Sequence, residues 1–340
     1  MKSKVFFKPY ISYQPKELSE IARELFEKVI REEDIVFAEE VPLKVTFGEK
    51  GNVTFLTPEC FDGVIDVLEE KGVKTRFMDS NVLYRGSRTT REKHLETAKE
   101  HGFTRIPITI ADGKHGEETQ IVPISGKYFD SVILGKGYEP YDQFVVLAHF
   151  KGHSQAGFGG AMKQLAMGFA SRSGKMAQHA GIRPWVREKK CITCGTCLDY
   201  CDHAAITIND VAKIDPEVCV GCAACIAGCP TGAIVNDWSG ENFIEKLAEY
   251  AYGAQKDKQN IYINFLVNIT ENCDCVGEPM DLIADHIGVL ASTDGVAIDK
   301  ACLDLLQLQE GNKLFDDGRA ALDHAARLGM GSLEYELLEI

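Results

Sequence analysis

Eight of the chain's twelve cysteines fall in two runs, CITCGTCLDYC and CVGCAACIAGCP. The runs place thiols at Cys191, Cys194, Cys197 and Cys201, and again at Cys219, Cys222, Cys225 and Cys229. In each run the gaps are two, two and three residues, tight enough for one loop to wrap three corners of an iron–sulfur cubane while the other run supplies the fourth thiolate. This pairing predicts one 4Fe-4S cluster on Cys191, Cys194, Cys197 and Cys229, and a second on Cys219, Cys222, Cys225 and Cys201. The runs repeat at an offset of 28 residues, and CDHAAI and CPTGAI match at the same offset, so the segment is an internal duplication. Structural zinc would need tetrahedral four-cysteine sets, which the third closely spaced cysteine of each run fits poorly. Two clusters in series form a wire for single electrons, and a wire needs terminals.

The cysteine segment resembles two-cluster bacterial ferredoxins along its length. Asp202 stands where the repeat predicts proline. An ionised carboxylate there favours the oxidised cluster and a lower potential.

A second set of candidate residues lies in QFVVLAHFKGHSQAGFGGAMKQLAMGF, which contributes His149, His153, Lys163 and the glycines Gly157, Gly159 and Gly160, with His179 beyond it. The pattern predicts a buried strand, a loop from about His149, a glycine turn, and a helix from about Ala161. Ligands of α/β sheets bind where strands end, and a helix amino terminus reached through glycines offers N–H groups to an anion. The glycine spacing is not that of a P-loop. An imidazole suits nickel or zinc, a desolvated lysine becomes a neutral nucleophile, and a histidine titrating near neutrality is a general acid and base. The same three side chains, as cations, would instead bind phosphate or carboxylate, and the blandest reading is a tight turn carrying two imidazoles. Cys273 and Cys275 in ENCDCVGEP are spaced to chelate a soft metal, with His149 or His179 completing a zinc or nickel site, or are ordinary loop cysteines. Cys60 and Cys302 fall on helical patterns as core thiols. Asp294 reads as a turn or helix cap, Asp299 as a second cap or cleft residue, and Asp112, Gly113 and His115 as another loop at a strand end.

The elements that position these residues alternate. Leu18, Ile21, Ala22, Leu25, Phe26 and Val29 recur at helical spacing, VPLKVTFG alternates like a strand, and Cys60 to Lys71 is again helical, followed by a strand after Gly72. A helix over 89–101, extended stretches over 105–111 and 120–124, and the continuous apolar run Gln143 to Phe150 follow. Beyond the cysteines, 241–252 reads as helix, 261–269 as strand, 296–308 as helix, and the tail from Lys313 as one acidic amphipathic helix. The expected architecture is a discontinuous α/β domain over 1–185 and 238–340, interrupted at 186–237 by a ferredoxin-like α+β module.

The segments KVTFGEKGN, HFKGHSQAGFGGAMKQLAMGFASRSGKMAQH, CDC and STDGVAIDKACLDLL resemble the uncharacterised family catalogued as domain of unknown function 362, which often carries a ferredoxin insert in this place. A more distant, local likeness joins His153, the AGFGG turn, Lys163 and His179 to the lactate racemase family. That likeness implies a nickel-pincer nucleotide anchored on Lys163, nickel ligation by His179, and proton exchange by His153. The family's paired catalytic histidine and arginine find only Arg88, with Ser87 where the histidine would stand.

A net charge of −14 opposes nucleic acid and anionic lipid as partners. Neither a secretory signal nor an apolar run of spanning length is found, so the expected setting is the cytoplasm, without a membrane. These features predict an iron–sulfur oxidoreductase in which the insert exchanges electrons with a cleft around His149, His153, Lys163, His179 and the Cys273–Cys275 pair. A redox partner protein and a small-molecule ligand are expected. The alternatives are a pure electron carrier docking a partner reductase, and a nickel-dependent isomerase with auxiliary clusters.

Overall fold

In the computed structural model, residues 2–179, 183–201, 203–219, 221, 223–236 and 241–340 are described. Asp202 and Cys222 lie outside them. The fold is α/β, built on an eight-stranded mixed sheet. Its order is Tyr335–Glu339, Ser3–Pro9, Gly288–Ser292, Ile261–Leu266, Val145–His149, Leu43–Lys44, Phe77–Asp79 and Ile108–Ile110. The last five run parallel, so their carboxyl ends share one edge. The Gly288–Ser292 strand is antiparallel to both neighbours.

The apolar run at Val145–His149 is fully buried because helices cover both faces of the sheet. Val145 and Leu147, with Ile261, Ile263 and Phe265 on the next strand, enter the core under the Pro15–Glu32 and Asp62–Glu70 helices. Val146, Tyr262 and Leu266 enter the opposite core, beneath the helices Ala161–Phe169, Phe243–Gln255 and Gly295–Glu310. Register pairs Ile263 with Leu147 and Phe265 with His149. A strand with two buried faces shows no polar alternation.

Three expectations change. Val41 to Gly48 pairs as strand only at Leu43–Lys44, and 105–111 only at Ile108–Ile110. The tail is not one helix: Arg319–Arg327 is helical, Gly329 turns the chain at φ +77°, and Tyr335–Glu339 becomes an edge strand parallel to Ser3–Pro9. Pairing satisfies an edge that an exposed helix would leave open. Asp294 does cap the Gly295–Glu310 helix, accepting from the N–H groups of Val296 and Ala297 at 2.9 Å each. Its other oxygen accepts from Ser3 Oγ at 2.7 Å and the Ser332 N–H at 2.8 Å, tying both ends of the chain together.

The cysteine-rich segment builds its own small core from Cys197, Ile206, Cys225, Cys229 and Ile234. Antiparallel pairs join Trp185–Val186 to Ile234–Val235 and Ile206–Ile208 to Ala212–Ile214. Two short helices, Thr196–Asp199 and Ala224–Gly228, sit between them. Among the described residues no helix is long and apolar enough to cross a membrane.

Candidate functional site: a basic cleft beside two cysteine nests

Loops from the carboxyl ends of the parallel strands enclose a cavity of about 240 Å³. Thr46 follows the Leu43–Lys44 strand, Asp79 and Ser80 end the Phe77–Asp79 strand, Lys151 and His153 follow Val145–His149, and Cys275 follows Ile261–Leu266. Gly159, Gly160, Lys163 and Gln164 contribute from the glycine turn and its helix, Lys175 and His179 from the Arg172–His179 helix. His153, Lys163 and His179 thus meet in one cavity, as do Gly159 and Gly160.

His149 and Gly157 are not part of its lining. Both ring nitrogens of His149 are engaged internally, Nδ1 with Asp274 Oδ1 at 2.9 Å and Nε2 with the Val267 carbonyl at 2.7 Å, so the ring positions a loop instead of meeting a ligand. Gly157 has φ +74°, and a Cβ on it would stand 2.3 Å from the Gly318 backbone nitrogen. Its glycine is required by a turn packed on a neighbouring loop, not by a ligand.

The helix amino terminus is also committed. Asp299, fully buried, accepts from the N–H groups of Ala161 at 2.7 Å and Met162 at 2.9 Å, and from Asn264 Nδ2 at 2.7 Å. The N–H groups expected to face an anion therefore face a carboxylate from the Gly295–Glu310 helix. Gly160 makes the approach possible, since a Cβ there would lie 2.3 Å from Asp299 Oδ1.

What the cavity offers is positive charge. Arg88, Lys151, Lys163 and Lys175 line it against one carboxylate, Asp79. Burial works to raise the Asp79 carboxyl, but Lys44, His94 and Arg88 outweigh it and hold the group well below the usual carboxylate range. Lys44 Nζ reaches Asp79 Oδ1 at 3.0 Å and Gln164 Oε1 at 2.9 Å from inside the sheet. Lys151 donates to Asp274 Oδ2 at 2.9 Å and to the His149 carbonyl at 2.8 Å. Lys175 donates to Ser80 Oγ at 2.6 Å, and burial lowers its proton affinity although Asp112 and Asp79 oppose that shift. Lys163 has no hydrogen-bond or ion-pair partner among the described residues. Burial, with Lys151 adding repulsion and Asp274 partly offsetting it, pushes it down to about 7.

The imidazoles differ from the near-neutral acid–base expectation. Burial, Lys163, His179 and Lys151 together push His153 down to about 2. Its Nδ1 accepts from the backbone N–H groups of Gln155 at 3.2 Å and Ala156 at 3.1 Å, which leaves Nε2 carrying the hydrogen. At neutral pH it is a hydrogen-bond donor and a poor base. His179 is held at about 4 by burial, Lys163 and Lys175, and its ring stacks on Phe243 with centroids 4.5 Å apart.

Cys273 and Cys275 are joined to each other by a disulfide. Neither presents a free thiolate in this state, so the pair is not the chelate expected of two adjacent thiols. Among the described residues no three His, Cys, Asp or Glu side chains converge as a single metal ion would need. Cys60 and Cys302 are fully buried core thiols, with burial raising Cys60 to about 11.

The cysteines of the two runs gather into two nests. Cys191, Cys194, Cys197 and Cys229 surround one small cavity, and Cys201, Cys219 and Cys225 surround another. Each nest therefore draws on both runs. Backbone N–H groups donate to the sulfurs: Ala212 to Cys191 at 3.4 Å, Ala233 to Cys229 at 3.2 Å, Ala205 to Cys201 at 3.3 Å and Gly221 to Cys219 at 3.4 Å. Left-handed residues Gly195, Gly221 and Ala223 let the loops curl so that these donors point inward.

The second nest sits against the cleft. Ala223, which lines it, packs with Leu83 and Met176 in a small buried cluster, and Leu83 is also a wall of the cleft. Arg172, buried at the start of the Arg172–His179 helix, donates to the Ala223 carbonyl at 3.1 Å and the Thr89 carbonyl at 2.9 Å. Arg85 donates to the Cys229 carbonyl. His115 lies in a loop, as expected, but not in the lining of the cleft, and its ring stacks on Tyr200 of the cysteine-rich segment with centroids 4.8 Å apart. Sequence reasoning assigned no role to Lys44, Asp79, Lys151 or Lys175. Lys151 left a trace as the second lysine of the histidine and glycine segment, and Lys44 as a charge amid the apolar residues of a strand-like run.

The model of the family described as "Domain of unknown function (DUF362)" matches residues 41–304. Pyruvate synthase subunit PorD of Methanocaldococcus jannaschii is 37% identical over 55 residues, 16% of this chain and 64% of that protein. Its counterpart from Methanothermobacter marburgensis is 31% identical over 65 residues, 19% of this chain and 78% of that one. The ferredoxin-type protein FwdE of Methanocaldococcus jannaschii is 44% identical over 55 residues, 16% of this chain and 36% of its own length. This chain thus spans less than two thirds of the first and third of these relatives. Among solved structures, a Thermotoga maritima protein aligns over 94% of this chain and 61% of its own at 11% identity and TM-score 0.43. The lactate racemase apoprotein of Thermoanaerobacterium thermosaccharolyticum aligns over 78% and 51% at 12% identity and TM-score 0.39.

Proposed function

We propose, from the premise that this chain belongs to the DUF362 family, that it is a cytoplasmic iron–sulfur protein that moves electrons between a partner protein and a small anion held in the basic cleft. The observation that carries this reading is the shared wall: Ala223 of the second cysteine nest packs on Leu83 of the cleft. The similarity of a short stretch to ferredoxin-type proteins and to subunits of a pyruvate synthase supports both the electron-transfer role and a redox partner.

The donor sets fit two 4Fe-4S clusters. Four cysteines stand around the first nest, and three described cysteines, with Cys222 outside the described residues, around the second. Backbone N–H groups aimed at sulfur stabilise the negative charge that such ligation concentrates there. When bound, the clusters supply reversible one-electron storage. The protein's own part is to anchor the nests on the main domain through Arg172 and Arg85, and to keep the cleft cationic. Lys163 meets the ligand as the one lining cation without an internal partner among the described residues, Arg88 and Lys151 flank it, and His153 offers an Nε2 hydrogen.

Anoxic reconstitution tests the reading. About eight iron and eight labile sulfide per chain are expected, with oxyanions such as phosphate or a small carboxylate binding more weakly as salt rises. Iron without sulfide would overturn it. A second reading, in which Lys163 anchors a nickel nucleotide near His153 and His179, draws on the meeting of those three side chains in one cavity. Stoichiometric nickel after purification would favour it over the first.

A further inference from the structure

The Cys273–Cys275 disulfide is absorbed by none of the roles above. It closes a ring around Asp274 alone, with a sequence separation of 2. So short a loop removes little freedom from the unfolded chain, so the bond is a weak structural staple. The loop is fixed by other means. Asp274 is buried and takes His149 and Lys151 at 2.9 Å each, its carbonyl accepts from the Glu49 N–H at 2.9 Å, and the Val276 N–H bonds the Cys273 carbonyl at 3.0 Å. The backbone that presents the two sulfurs is therefore held whether or not they are bonded.

Position adds a second, independent observation. Cys275 lines the cleft while Cys273 is buried behind it. The same cleft is bounded by Leu83, which packs on the second cysteine nest. A disulfide in a compartment that keeps thiols reduced is usually catalytic or sensing, not structural.

We propose that Cys273–Cys275 is a redox-active site of the cleft, a two-electron terminal for the one-electron carriers of the insert. This rests on the iron–sulfur reading above. In the reductive direction the sulfur–sulfur bond breaks, two electrons arrive from a reduced iron–sulfur donor, and two protons from water complete two thiols. Oxidation reverses each of these transfers. Two single-electron centres and one disulfide match in stoichiometry.

The test uses the anoxic holoprotein with reduced methyl viologen as the one-electron donor, following cluster bleaching in the visible spectrum and alkylation of the Cys273–Cys275 peptide by iodoacetamide and mass spectrometry. The wild-type protein should take up about four electrons per chain and become alkylated at both cysteines. The double variant Cys273→Ser, Cys275→Ser should bleach normally and take up about half as many electrons. Bleaching without alkylation of the wild-type peptide would overturn this inference and leave the iron–sulfur reading intact. A holoprotein that lacks sulfide and does not bleach would remove that reading, and this inference with it.

Discussion

Replacing Lys163 with methionine should make the protein more stable at mildly acid pH while removing its capacity for anions. The side chain lines the cavity with no ion-pair partner among the described residues, and its proton affinity drops from 10.5 to about 7. At about 1.36 kcal/mol per pH unit, that drop corresponds to roughly 5 kcal/mol of destabilisation of the charged form. The ammonium faces a cavity of about 240 Å³ that admits water, so hydration recovers part of it, and about 2–3 kcal/mol is the expected net effect. The sign follows from proton counting. Folded protein releases this proton near pH 7, whereas the unfolded chain keeps it up to 10.5, so the cost is fully present below about 7 and relieved as pH rises through that window. Methionine keeps a similar stem and carries no charge. Anoxic scanning fluorimetry in an oxyanion-free buffer should give a Tm higher in Lys163→Met by about 3 °C at pH 6, shrinking to roughly 1.3 °C at pH 9. A variant no more stable than wild type at pH 6, or a gain equal at both pH values, would refute the placement of an unpaired ammonium in this cleft.

Oxyanion affinity in the wild-type protein should fall as pH rises above 7, by up to about tenfold per pH unit as Lys163 discharges, while Arg88 and Lys151 stay in place; isothermal titration with phosphate at pH 6, 7 and 8 measures it, and a flat profile would exclude Lys163 from the contact. Asp299→Ala orphans the Ala161 and Met162 N–H groups and should cost about 2–4 kcal/mol, read as a lower Tm. Gly160→Ala, whose Cβ would stand 2.3 Å from Asp299 Oδ1, should lower Tm by a similar amount and weaken anion binding through displacement of the Ala161–Phe169 helix. Arg172→Met removes the donor to the Ala223 and Thr89 carbonyls and should loosen the cysteine-rich segment without unfolding the sheet, visible as faster amide exchange over 203–219 and 223–236 and unchanged exchange in the Val145–His149 strand.

The α/β alternation, the buried central strand and the cap at Asp294 were legible because each is written in local period and spacing. The cysteine runs were legible for the same reason: a loop that wraps a cubane has its ligands a few residues apart. His153, Lys163 and His179 were found by their spacing around a glycine turn, and they do share a cavity. Their protonation was not legible. His153 is expected near neutrality as a free imidazole, but its neighbours Lys163, His179 and Lys151 and its burial hold it near 2.

Sequence by itself located the two cysteine runs and the loops at the ends of the parallel strands, since both follow from local spacing and periodicity. Tertiary structure alone decided the rest. It sent Asp299 from a distant helix to the glycine-turn helix, brought Lys44 and Asp79 together across adjacent strands, and set Ala223 against Leu83. Those are contacts between residues far apart in the chain, fixed by which faces of the sheet and helices can be buried together, and local spacing carries no record of them.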